Sequence, residues 1–266
     1  KKHGIANYFD PVRAVESLRA VRDYEERHER VSEPPPHFNV DTERVREQIR
    51  HKPGFELLKA YGIPVPAYGK AETPDEALEI ADRIGYPVAM KIISPDIIHK
   101  TDVGCVKLNV NRSKVKESFF EIMRRGEKYT TARRIEGVLV QQMVEGGKEV
   151  IIGMKRDRHF GPLLMFGLGG IYVEVFRDVS FRIAPLSMSD AKEMIRDVRA
   201  YRILHGVRGE PMSDIDSLVN VLLRFSQLCV EFPEIVEADL NPIKVFEHGK
   251  GCYVVDFKMI SSDSHF

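Results

Sequence analysis

Long apolar runs are missing from this 266-residue chain. Nothing approaches the roughly 20 consecutive apolar residues that a transmembrane helix needs, and no secretory pattern opens it. Cysteine is scarce: Cys105, Cys229 and Cys252 stand far apart with no metal-ligand spacing. That suits a reducing, cytoplasmic setting. A charge surplus is missing too, because Lys+Arg and Asp+Glu both count 40. Nothing therefore marks nucleic acid or an anionic membrane as the main partner. There is no internal repeat and no low-complexity segment beyond a short proline run. What is present is 43% hydrophobic residue, enough for a sizeable core in one large domain or two subdomains. The chain opens Lys1-Lys2 without a methionine, as expected of a fragment or a processed chain.

Local patterns give the expected elements. Asp10-Pro11 starts an amphipathic helix running to about Arg30, with Val12, Val15, Leu18 and Val21 as its apolar stripe. Ser32 to Pro36 is a stiff linker, so the opening segment reads as a docking appendage. Helices are expected from Thr42, over Phe55–Tyr61, and from Thr73 to Ile84. Val65–Tyr68 reads as an edge strand because of its proline, and residues 87–93, 105–111 and 137–144 read as strands. Gly146-Gly147 turns the chain into a returning strand from Glu149 to Met154. Strands near Leu163–Phe166 and Val179–Ala184, helices at about 189–200 and 214–230, and strands near 235–240 and 252–257 complete it. The expectation is an α+β fold: a docking segment over 1–36, one subdomain over 37–136 and a second over 137–266.

Three patches carry chemistry. Lys91 interrupts the apolar strand 87–93, and His99 and Gly104 lie in the loop that follows. A lysine there is costly unless its head reaches water or an anion, and a phosphate satisfies it. Gly104 lets backbone N–H groups approach that phosphate, and His99 offers a nucleophilic nitrogen near neutral pH. Each residue alone also reads as an ordinary loop histidine and a snorkelling lysine. In Glu237-Ala238-Asp239-Leu240-Asn241, alternation puts residues 237, 239 and 241 on one strand face. Asp256 in the next strand can join them across a hairpin. Either something cationic sits there, with oxygen donors suited to Mg²⁺, or the face is a solvated edge ending in an Asn-Pro turn. Gly167-Leu168-Gly169-Gly170 is a phosphate-facing loop or a plain turn, and fits neither a P-loop nor a dinucleotide fingerprint. Glu149 is a surface glutamate or an acceptor for a ribose hydroxyl.

Taken together, Lys91–Lys107, Gly161 to Glu174, Glu237–Pro242 and Asp256 resemble the ATP-grasp domain of the nucleoside-diphosphate-forming acyl-CoA synthetases, the superfamily that includes succinyl-CoA synthetase. The likeness covers roughly residues 40 to 262 in the right order and is similar to the β subunits of ADP-forming acetyl-CoA synthetases. The opening segment resembles the helix that follows the CoA-ligase domain in single-chain members. The resemblance implies an ATP-grasp fold of two α+β subdomains. It implies Lys91 on the α-phosphate and Gly104 in the flexible loop over the phosphates, with Cys105 where a second glycine often stands. It implies Gln142, Met143, Val144 and Glu145 as the adenine hinge, Glu149 on the ribose, and Asn241 and Asp256 as Mg²⁺ ligands. It further implies His99 as the phosphohistidine and Asp239 as the acid facing it.

The implied activity is that of a nucleotide-binding β subunit, with ATP or ADP as substrate and Mg²⁺ as cofactor. Phosphoryl passes from a partner histidine to His99 and on to ADP. The implied partner is a CoA-binding α subunit, in the α2β2 assembly that the family likeness implies. Two other readings stand beside it: a different ATP-grasp carboxylate ligase, which has no need of a histidine at 99, and a nucleotide-sensing regulatory domain.

Overall fold

The computed structural model describes residues 11–12, 15, 17–19, 22, 33–49, 54–97, 100, 102–170, 173, 176–207 and 209–262. Of the helix expected up to about Arg30, the described residues are helical, and Val12, Val15 and Leu18 are exposed; the rest lies outside the described residues. So does Glu174, and so does His99.

Two antiparallel sheets form the frame. The first has the order β1-β4-β2-β3: Tyr68–Ala71 (β1), Gly137–Gln142 (β4), Val88–Ile93 (β2) and Val106–Val110 (β3). Helices Pro74–Ile84 and Val115–Gly126 cover one face of it. Thr73 caps the former by accepting from the Glu76 N–H, with Pro74 inside its first turn. Val88, Met90 and Ile92 alternate into this helix-covered core with Val138 and Val140.

The second sheet has six strands, in the order β10-β8-β5-β6-β7 with β9 paired to β8. These are Phe257–Ser261 (β10), Ile235–Val245 (β8), Lys148–Asp157 (β5), Gly161–Leu168 (β6), Val179–Ile183 (β7) and Cys252–Val254 (β9). Helices Met188–Arg196 and Ile215–Glu231 pack on its inner face, the second burying Leu218, Leu222, Phe225 and Leu228. Ser187 and Asp190 close a reciprocal capping box at the start of the first. Truncating a buried aromatic such as Phe225 to alanine would cost about 3–5 kcal/mol. Among the described residues no helix is long and apolar enough to cross a membrane.

Four expectations differ from this frame. Strand 137–142 pairs with β1 and β2, in the first sheet, while β5 lies in the second. Residues 143–147 therefore cross between sheets instead of closing a hairpin, and the sheets divide after Gln142 rather than at 137. Val45, Phe55, Leu57, Leu58, Tyr61 and Ile63, expected in the first subdomain, pack into the core of the second. The edge strand begins at Tyr68, not Val65, because Pro64 and Pro66 have no N–H for a ladder. Strand 252–257 is split, and Asp256 lies in the break between β9 and β10.

Candidate nucleotide site

The cleft between the sheets collects the charged residues. In β2, Lys91 points away from the helix-covered core, directly opposite Leu139 of β4 and Val106 of β3 in register. Its side chain is 8% exposed, and its Nζ donates to Val255 O at 3.1 Å and to Asp256 Oδ1 at 3.3 Å. Gln141, on the adjacent strand and fully buried, donates its Nε2 to the same Val255 carbonyl at 3.0 Å. The first sheet thus grips the second at Val255-Asp256. A withdrawn ammonium requires such an anion. Gln141 Oε1 is buried without a partner, an acceptor left for a ligand or water.

β8 presents its polar face here. Ala238, Leu240 and Ile243 are buried in the helix-covered core, while Glu237, Asp239 and Asn241 face the other way, as alternation predicts. The strand does not end in an Asn-Pro turn: its register to β5 shifts between Leu240 and Ile243 and it runs on to Val245. The Asn241 N–H donates to Asp256 O and the Val255 N–H to Pro242 O, at 3.1 and 2.9 Å. These bonds hold Asp256 beside Asn241. Burial pushes the Asp239 carboxyl above its ordinary value, against Lys258 and a hydrogen bond from Asn241, with Asp256 and Glu237 adding repulsion.

Two lysines at this face were not singled out from sequence. Lys258 of β10 registers opposite Asp239. Lys100 follows β2, and its carbonyl accepts from the Cys105 N–H at 2.9 Å. Burial holds the Lys100 ammonium below its ordinary value, with Asp256 opposing and Lys91 and Lys258 adding to the shift. The signal for Lys258 was its spacing of two from Asp256. Nothing in the sequence marks Lys100 as withdrawn from water.

Gly104 has φ +68, and Arg125 Nη1 donates to its carbonyl at 2.9 Å; a Cβ there would collide with that guanidinium. Arg125 is held in turn by Glu121, which also pairs with Lys107, each at 2.6 Å. Cys105 is fully buried, and burial raises its thiol pKa, so it serves as core rather than nucleophile.

Gln142, Met143, Val144 and Glu145, the crossing segment, line a pocket of about 160 Å³ with Phe246 and Tyr253. Glu149 lies nearby in β5, its Oε1 2.7 Å from Lys244 Nζ on the paired strand. The glycine run is strand packing at Gly169: its N–H donates to Glu149 O at 2.8 Å, and a Cβ would meet Glu149 Cβ at 3.0 Å.

The donor set fits Mg²⁺. Asn241 and Asp256 supply hard oxygens side by side, and Mg²⁺ completes its shell from phosphates and water. No group of three His, Cys, Asp or Glu residues that could hold a metal by itself occurs among the described residues.

Residues 41–260 match the ATP-grasp domain family. The chain belongs to that family. It is 51% identical to the ADP-forming acetate–CoA ligase I of Archaeoglobus fulgidus, across 98% of this chain but 39% of that protein. It therefore spans well under half the length of that relative. It is 48% identical to the β subunit of the ADP-forming acetate–CoA ligase I of Pyrococcus furiosus, across 77% of this chain and 88% of that subunit. A solved structure of Ca. Korarchaeum cryptofilum dinucleotide forming acetyl-coenzyme A synthetase 1, in complex with coenzyme A, Ca-AMPCP and HgCl⁺, superposes with a TM-score of 0.76 at 40% identity. That match covers 83% of this chain and all of the other. A second structure of the same enzyme, with a TM-score of 0.72 at 38% identity over the same shares, holds a phosphorylated phosphohistidine segment.

Proposed function

We propose that this ATP-grasp chain is the nucleotide-binding part of an ADP-forming acyl-CoA synthetase, catalysing acyl-CoA + ADP + phosphate = acid + CoA + ATP together with a CoA-binding α partner in an α2β2 assembly. The observation that carries this reading is the convergence of Lys91, Asp256, Asn241 and Asp239 on one cleft beside the hinge pocket. The relatives named above support it. The three unpaired cysteines support a reducing, cytoplasmic setting.

The proposed roles are those that the family resemblance implies. Residues 142–145 hold the base, with Phe246 and Tyr253 as its apolar wall. Glu149 accepts from the ribose. Lys91 exchanges Asp256 for the α-phosphate, so the lysine remains paired throughout. Gly104 gives the loop over the phosphates a backbone that approaches them closely. Asn241 and Asp256 would hold Mg²⁺, which when bound neutralises phosphate charge. His99 lies outside the described residues; its proposed role is to carry the phosphoryl group between partner and nucleotide. Asp239 would fix the tautomer of that imidazole and offset the charge that develops on it.

The test is to incubate the chain and its partner with γ-labelled ATP and Mg²⁺ and map acid-labile label. The expected result is label on His99, and loss of label in His99→Asn with nucleotide binding retained. Turnover retained in His99→Asn would overturn the relay.

A further inference from the structure

Glu149, Lys244 and Tyr253 form a row across three strands. Lys244 stands opposite Glu149 of β5 on one side and opposite Tyr253 of β9 on the other. Ile243 and Val245 are buried in the helix-covered core, as are Val150, Cys252 and Val254, so alternation turns the three residues of the row to the opposite face. One end of the row lines the hinge pocket, where Tyr253 meets Phe246 edge to face at 6.2 Å between ring centroids. The other end is the proposed ribose acid, which Gly169 backs with an N–H bond to its carbonyl. Lys244 lies between them, its Nζ 2.7 Å from Glu149 Oε1. The pair is lopsided: the lysine side chain is 20% exposed and the glutamate 47%. A surface lysine ordinarily carries its head outward to water, but here the acid keeps the open surface. A half-exposed ion pair adds little to stability, so the contact is better explained by what it does to the carboxylate.

We propose that Lys244 is a positioning residue that sets the preference for a ribonucleotide: its ammonium holds Oε1 of Glu149 and leaves Oε2 to accept from the ribose hydroxyls. The proposal rests on the ribose role of Glu149 and adds the group that readies the carboxylate for it. A free glutamate side chain samples many rotamers, and fixing one of them on binding costs entropy. The ion pair to the neighbouring strand fixes the carboxylate before the nucleotide arrives. An ionised carboxylate accepts on both oxygens, so one lysine does not exhaust it. Lys244 acts through Glu149 and takes no part in phosphoryl transfer.

The experiment uses the chain with its CoA-binding partner, as wild type, Lys244→Met, Lys244→Arg and Glu149→Ala. Calorimetry compares Mg-ADP with Mg-2′,3′-dideoxy-ADP, which lacks both ribose hydroxyls. Wild type is expected to favour ADP about tenfold or more, the worth of a hydrogen bond to a charged acceptor. Lys244→Met is expected to lose about fivefold in ADP affinity and less than about twofold in dideoxy-ADP affinity, so that the preference nearly vanishes. Lys244→Arg keeps a cation for the carboxylate and is expected to recover most of it. Equal loss for the two nucleotides in Lys244→Met, or no loss for either, overturns the proposal while Glu149→Ala still abolishes the preference. A wild-type preference near one, or an unchanged preference in Glu149→Ala, instead removes the ribose role of Glu149 and the positioning role with it. The readout is binding, so it decides the matter whether or not the chain takes label from γ-labelled ATP.

Discussion

The clasp between Lys91 and Asp256 is the contact whose removal most directly tests how the two sheets hold a nucleotide cleft. The perturbation is a double-mutant cycle of Lys91→Met and Asp256→Asn. Lys91 is 8% exposed at the side chain and Asp256 24%. Breaking a fully buried pair costs about 3–5 kcal/mol and an exposed one about 0–1. A quarter-exposed aspartate lies between, so Lys91→Met should cost about 2–3 kcal/mol. The Val255 carbonyl is not orphaned in that variant, because Gln141 Nε2 still donates to it. Asp256→Asn leaves a withdrawn ammonium facing a neutral amide and should cost about 2 kcal/mol. The double variant removes both charges and should cost less than the sum, with a coupling of about 1–2 kcal/mol. Urea unfolding reads the cycle, and melting should fall by about 4–10 °C for Lys91→Met in a chain of this size. Additivity within about 0.5 kcal/mol would refute the reasoning and reduce the contact to a surface pairing.

Two further outcomes follow from local geometry. Arg134 and then Thr130 hold the Asp96 carboxyl down to about 2. A depressed carboxylate adds stability that is present above its unfolded value near about 4 and is lost as pH falls toward about 2. Wild type should therefore lose more stability across that window than Asp96→Asn in urea midpoints from pH 5 to 2, and parallel curves would contradict it. Gly169→Ala sets a methyl at 3.0 Å from Glu149 Cβ; about 1–3 kcal/mol of overpacking cost and weaker nucleotide binding are expected, and unchanged melting with unchanged binding would show that β5 yields freely.

Much of the site was legible because residue type and alternation act locally. Lys91 stood out as one charge in an apolar strand, and residues 237, 239 and 241 fell on one face by period two. Partnership was not legible. The apolar pattern of 137–142 identifies a strand, but only its register to Tyr68–Ala71 and Val88–Ile93 puts it in the first sheet, and register is a long-range property. The glycines after it looked like a hairpin turn because the same residues serve a tight turn and a crossing between sheets. The break at Val255-Asp256 was hidden for a related reason. The pattern Val254-Val255-Asp256-Phe257 continues a strand, and it is Lys91 and Gln141, more than 110 residues earlier in the sequence, that take the Val255 carbonyl out of the ladder. That capture also turns Asp256 toward Lys91 and sets it beside Asn241. The site is therefore completed by the packing of one sheet on the other, so a substitution that loosens the clasp should weaken nucleotide binding even where every proposed ligand is intact.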